Sequence, residues 1–410
     1  MSPQAQSEAF QAEALAVIDD LRGVFAAMIE AKCGPGPAVT DIAGGFGIHR
    51  KLAWQLSRVA YDQDPFVAAR HMPSPKGIES LLSAAAKHGV DGKVLERVER
   101  AAAAFGELVK VHAGDRGAFD LMLGACSAAT DDDEAARWRQ QSFVGNSFIW
   151  GAHCKTMLAM VVQFPSADRK NYFDMAMVRG LIGLRLNRPQ TYWLVGQSAV
   201  LSGDSLPHAT RRQPLDPEGA GTFGGVPVLR DHCRGELPGF ERRKNTVGLL
   251  DDLLVPSAVG LKGERTIVTG EVIRALAPAH RTEADRVAHF GVGVRTPVET
   301  FVMDHFTHES LFVGVHRELC VYNDLNTPTA HAESDRLQVA AKLQELGPGL
   351  DRAQCRDVPG YLPLARDVFA RLGQDPAAFV HHRVRIAYPP MPASVMIRHE
   401  LPEPFGGDLE

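Results

Sequence analysis

Residues 157–164 read MLAMVVQF, residues 173–186 read FDMAMVRGLIGLRL, and residues 191–196 read TYWLVG. Each is a short apolar run between turn signals, the pattern of a strand rather than of an amphipathic helix. The pattern returns at 265–276 (RTIVTGEVIRAL), 286–306 (RVAHFGVGVRTPVETFVMDHF), 318–322 (ELCVY), 382–388 (HRVRIAY) and 394–401 (SVMIRHEL). In 382–388, Val384, Ile386 and Tyr388 alternate with Arg383 and Arg385, so one face is buried and one is wet. The FGVGV glycines suggest a bulge, and Pro297 an edge position or a break. Strands grouped through short turns favour an antiparallel sheet with helices packed on it. The fold class is therefore α+β, since a doubly wound fold needs strands alternating with helices. Two amphipathic helices, each followed by glycine, are expected at 332–346 and 362–372. Residues 202–225, rich in Gly, Pro and Ser, read as a long irregular loop.

Upstream of residue 150 the period is that of a helix. Phe10, Ala14, Ile18, Leu21, Phe25 and Met28 form one apolar stripe on a helix over 7–32, which CGPGP at 33–37 ends. Shorter helices follow at 38–45, 48–60, 64–70, 75–88, 91–113 and 117–128. The acids Asp131 to Glu134 begin another at 133–143, where they complement its dipole. The predicted organisation is an all-helical module over 1–130 and an α+β domain over 145–410 that senses a ligand or oligomerises.

Within the helical module, residues 40–58 read TDIAGGFGIHRKLAWQLSR. Thr40 or Asp41 can cap a first helix. Gly47 stands where a tight turn needs a left-handed residue. Ile42, Phe46, Ile48, Ala53 and Leu56 fall on the inward side of both helices, and His49, Arg50, Lys51, Gln55 and Arg58 on the outward side of the second. This segment resembles the helix-turn-helix of bacterial repressors and activators in its alanine-to-glycine spacing and apolar positions. The resemblance covers about twenty residues, and the pair Gly44–Gly45 departs from the pattern. It implies DNA binding through the second helix, with Arg and Lys on phosphates and guanine edges and Gln on adenine. Lys76, beside Ser74 at a helix start, is a candidate phosphate contact. A structural helical hairpin is the alternative.

The whole chain sets bounds on this reading. Its 410 residues carry a net charge of −5 and are 45% hydrophobic and 23% charged. A molecule of that charge does not attract nucleic acid as a whole, so any DNA contact depends on a local basic patch. The six cysteines are scattered, without a CxxC pair, which argues against a disulfide framework or structural zinc. No secretory signal and no long apolar run is seen, so a cytoplasmic protein without a membrane partner is expected.

Other constellations are weaker. His305, His308 and Glu309 are the candidate metal ligands, with Asp304 and His316 nearby, but they match no metalloenzyme signature. On a strand, Asp304 and His305 point to opposite faces. Asp231, His232, Cys233 and Glu236 offer a Cys–His pair, although sequence neighbours rarely have nucleophile–base geometry. His381 and His382 open a strand. GTFGG at 221–225 makes no phosphate loop, and no cofactor is expected. The sequence thus predicts a DNA-binding transcriptional regulator acting as a homodimer, with a possible small-molecule effector. The alternatives are a metal-dependent enzyme with a helical cap and an assembly protein.

Overall fold

The computed structural model describes residues 3–126, 132–189, 192–198, 212–245, 249–283, 285–325 and 332–404. The chain forms two compact units, Met1–Ala135 and Ala136–Glu410. The fold is α+β.

The first unit is helical: α1 (Pro3–Cys33), α2 (Val39–Phe46), α3 (Arg50–Tyr61), α4 (Pro65–Arg70), α5 (Pro75–Lys87), α6 (Gly92–His112) and α7 (Arg116–Cys126). Helix α1 is its axis, burying Ala14, Ile18, Leu21, Val24, Phe25, Met28 and Ile29. Each large apolar side chain so buried contributes roughly 1.5–3 kcal/mol. The caps are local: Asp64, Ser74 and Asp91 each accept a backbone N–H at the start of α4, α5 and α6.

Helix α8 (Asp132–Trp150) runs from the end of the first unit into the second, longer than the expected 133–143. The side chains of Asp131 to Glu134 lie outside the described residues, as do 202–211 of the expected loop. The rest of that loop carries β4 (Arg212–Pro214) and α9 (Pro217–Thr222).

In the second unit, β1 (Ala152–Pro165), β2 (Tyr172–Leu186), β7 (Arg265–Pro278), β9 (Val298–His308), β11 (Leu343–Pro348) and β12 (Phe379–Ala387) join β4 in one large sheet ordered β11-β12-β9-β1-β2-β7-β4. Two small sheets accompany it. One is β10 (Glu318–Asn323), β13 (Ala393–Glu400) and β8 (Val287–Val294), and the other is β3 (Trp193–Ser198), β6 (Leu250–Leu254) and β5 (Phe240–Lys244). The large sheet is mixed, because β1 and β9 run parallel, with Met160 opposite Asp304. The other pairs of this sheet are antiparallel, as expected.

Alternation along β1 explains why MLAMVVQF is apolar at every position but Gln163. Leu158, Met160, Val162 and Phe164 join one core with α10 (Tyr361–Leu372), whereas Met157, Ala159 and Val161 join another with both small sheets. A strand covered on both faces has no wet side to mark its period.

Two expectations are corrected, the helix over 332–346 and the bulge, while the break expected at Pro297 is present. Residues 332–346 are not a helix. A short turn at 333–335 leads to extended chain and β11, and Leu337, Val339, Ala341 and Leu343 pack on the core at every second residue. The operative period is two, not 3.6. The run 286–306 is two strands in different sheets, broken at Pro297. The FGVGV glycines make no bulge, since β8 pairs with β13 in unbroken register. A Cβ on Gly291 would come within 1.9 Å of the Val395 carbonyl oxygen, so close backbone approach is what requires glycine.

Candidate nucleic-acid interface

The segment 39–61 folds as two helices across a three-residue turn. Thr40 is not the cap of α2; Ala38 holds that position, and Asp41 reaches back to accept its N–H at 3.0 Å. The turn is made by Gly47 at φ 64°, ψ 36°, while the Ile48 N–H donates to the Ala43 carbonyl at 3.0 Å. A Cβ on Gly47 would lie 2.4 Å from His88 Nε2, so both conformation and space favour glycine. Ile42, Phe46, Ala53, Leu56 and Val59 are buried, and Ile48 is half-buried against the same core.

The outward residues of α3 divide into three groups. Arg50 and Lys51, in its first turn, are exposed. His49 is the N-cap: its Nδ1 accepts the Lys51 N–H at 3.2 Å, which leaves Nε2 for an outside partner. Gln55 is half-buried, and Arg58 in the last turn pairs with Asp62 at 2.8 Å. Trp54 is 44% exposed and meets His71 edge-on, at 5.0 Å between ring centres. A Cβ on Gly77 would lie 3.8 Å from Leu52 Cδ1, so the start of α5, with exposed Lys76, flanks α3. The segment thus brings Arg50, Lys51 and Lys76 to the surface, occupies one ring nitrogen of His49 as an acceptor and withdraws part of the donor capacity of Arg58.

The metal candidates do not converge. His305 is buried and its Nε2 donates to Gln163 Oε1 at 2.8 Å, while His308 Nδ1 meets Ser310 Oγ at 2.8 Å and Glu309 is exposed. Among the described residues, no three His, Cys, Asp or Glu side chains are grouped so as to hold a metal ion. Asp304 faces away from His305, as strand alternation requires. Both its oxygens accept from Arg383 at 2.7 Å, and His381 Nε2 stands 3.2 Å away. Arg383 also donates to the Ala353 and Gln354 carbonyls, and its guanidinium lies 5.2 Å from the centre of the Tyr361 ring. This cluster joins β9, β12 and α10; Asp304, His381 and Tyr361 are fully buried in it, and Arg383 reaches partly to the surface. Arg383 holds the Asp304 carboxyl below its usual range despite burial.

Cys233 and His232 are not a nucleophile and base. His232 Nε2 is 2.8 Å from Asp367 Oδ2, whereas the Cys233 thiol donates to the Leu229 carbonyl at 3.3 Å, and burial pushes its pKa up to about 11. A thiol so held is poorly nucleophilic at neutral pH.

Comparison with protein families, characterised proteins and solved structures returns no match for this chain. No helix among the described residues is long and apolar enough to cross a membrane.

Proposed function

We propose that the chain is a DNA-binding transcriptional regulator that enters the major groove with the first turns of α3. The observation that carries this reading is the exposed pair Arg50–Lys51 at the start of a helix seated behind a glycine turn. Residues early in a recognition helix are those that reach base edges. Arg50 supplies a forked donor for guanine, Lys51 and Lys76 neutralise phosphates, and half-exposed Trp54 adds an apolar contact. More acids than bases occur in residues 1–140. Repulsion elsewhere on this unit then restricts approach to this one face.

One such helix reads few base pairs, so the reading includes a pair of copies on two related half-sites. The edges of the large sheet are short β11 and β4, while 298–308 and 379–387 lie inside it. Pairing through long sheet edges is therefore not available there. Exposed Val144, Phe148 and Ile149 on α8 are the apolar surface we assign to it.

Genomic mapping of bound sites, followed by gel-shift titration at fixed salt, tests the reading. Arg50→Ala is expected to weaken specific binding by about 1–3 kcal/mol. Unchanged affinity in an Arg50→Ala, Lys51→Ala double variant overturns it.

A further inference from the structure

A cavity of about 490 Å³ lies in the second unit, lined by β2 and β7 of the large sheet and by β3, β8 and β13 of the small sheets. Its size falls within the roughly 300–1,000 Å³ of small-molecule sites. The apolar lining includes Met175, Leu194, Leu276, Phe290 and Met396, each only partly buried, so the layers do not close over them. Arg179 on β2 and Arg295 after β8 join the same lining, one from each layer.

Arg179 has no carboxylate to itself, and Arg295 meets its own, Asp324, through a single long contact. Arg179 makes one 3.4 Å contact with Glu271, which also receives Arg212. The neighbouring buried acid, Asp252, is held by Arg242 through hydrogen bonds of 2.6 and 2.9 Å. Among these described residues, three arginines face two carboxylates. Arg295 makes one 3.4 Å contact with Asp324 Oδ2, while Asp324 Oδ1 accepts the Ser394 hydroxyl at 2.7 Å. The other ionisable lining residues are Asp285 and His289, which are exposed, and His280. A chamber of mixed lining, with apolar side chains on one part and two partly neutralised guanidinium groups on another, is complementary to a molecule with one apolar body and one anionic end. Guanidinium is weakly hydrated and its planar fork matches a carboxylate.

We propose that this cavity binds a small monocarboxylate with an alkyl or aryl body, its carboxylate held by Arg179 and Arg295. Calorimetric titration of the full chain, without DNA, with alkyl carboxylates of about six to twelve carbons and with the matching alcohols tests this. The outcome is independent of whether α3 reads DNA. The carboxylate should bind about tenfold or more tighter than the alcohol of equal length, the size expected of hydrogen bonds to a charged group. Arg179→Gln should abolish most of that preference and leave alcohol binding intact. Because Arg179 belongs to a buried charge cluster, Arg295→Gln, at a more exposed side chain, repeats the test, with an unchanged thermal melt as the check on folding. Equal affinity for carboxylate and alcohol, no saturable binding of either at millimolar concentration, or an intact preference in folded Arg295→Gln overturns the proposal.

Discussion

The two units bury different kinds of side chain. In the helical unit the buried side chains among the described residues are apolar, from Ala14 to Leu123. In the sheet unit Asp174, Asp252, Arg265, Glu271, Asp304, His305, His381, His382 and His399 are all buried. A helix satisfies its own backbone and turns its charges outward, so the charges of the first unit are available to a partner. The stacked sheets of the second unit enclose polar groups that must find partners inside. A charge in the first unit is therefore better evidence of binding than a charge in the second, where the same residue types hold layers together.

Acid should separate the units most. Burial holds His382 and His399 down to about 4, and burial with Arg317 and the neighbouring histidines holds His305 well below its usual value of 6.5. The unfolded chain takes up these protons near pH 6.5, whereas in the folded chain His382 and His399 take theirs up only near pH 4. Stability from these groups is thus complete above about pH 6.5 and is lost as pH falls through that window. At pH 5 the loss is about 2 kcal/mol for each of His382 and His399. Hydrogen-exchange mass spectrometry across pH 5–7, corrected for intrinsic rates, should show β12 and β13 losing protection before α1. Equal loss in both units would break the contrast.

Substitutions of similar cost should then differ in how they are repaired. Asp304→Ala leaves Arg383 buried without its carboxylate, at about 3–5 kcal/mol. Phe46→Ala empties a fully buried site in the helical unit, also at about 3–5 kcal/mol. Urea titrations of the full chain read both. The double variant Asp304→Leu, Arg383→Met should regain most of the first loss, because an apolar pair needs no counter-charge. A double variant no more stable than Asp304→Ala would mean that the Arg383 bonds to the Ala353 and Gln354 carbonyls, rather than the ion pair, hold this layer.

The same contrast explains what could be read from sequence. The helices of the first unit repeat at three and four residues and end at Gly47, Gly89 and CGPGP, so pattern and structure coincide closely. The strands were legible as elements, and their partners were not. Nothing local to MLAMVVQF says that β9, more than a hundred residues away, lies parallel beside it. The pairing follows from burial on both faces, which no short window contains. At 337–343 the alternation of Leu337, Val339, Ala341 and Leu343 is present in the sequence, but the glycine that follows at 347 fits a helix end equally well. For the interface, Arg50 and Lys51 are legible from helical spacing, whereas the pairing of Arg58 with Asp62 depends on the chain leaving the helix at Asp62, which spacing alone does not fix. For the cavity, the one signal was Arg179, a lone arginine in the apolar run MAMVRGLIGL.

The smallest effect expected tests the contrast within α3 itself. Arg58 has the same charge as Arg50 and lies on the same outward side, so a count of basic residues ranks them equally. Geometry does not. Asp62 holds the Arg58 guanidinium at 2.8 Å in the last turn of the helix, away from the end that enters a groove, while Arg50 is exposed in the first turn. A phosphate must compete with that carboxylate for Arg58. A partly exposed i, i+4 pair of this kind adds at most about 1 kcal/mol to stability. Arg58→Ala should therefore change DNA affinity by less than about 0.5 kcal/mol, against about 1–3 kcal/mol for Arg50→Ala. Asp62→Asn should move affinity the other way, because it releases Arg58 and removes a negative charge beside α3. Gel-shift titrations of the three variants at one salt concentration give the ranking. If Arg58→Ala costs as much as Arg50→Ala, the ion pair opens on binding and the contact surface extends along the whole of α3 instead of its first turns.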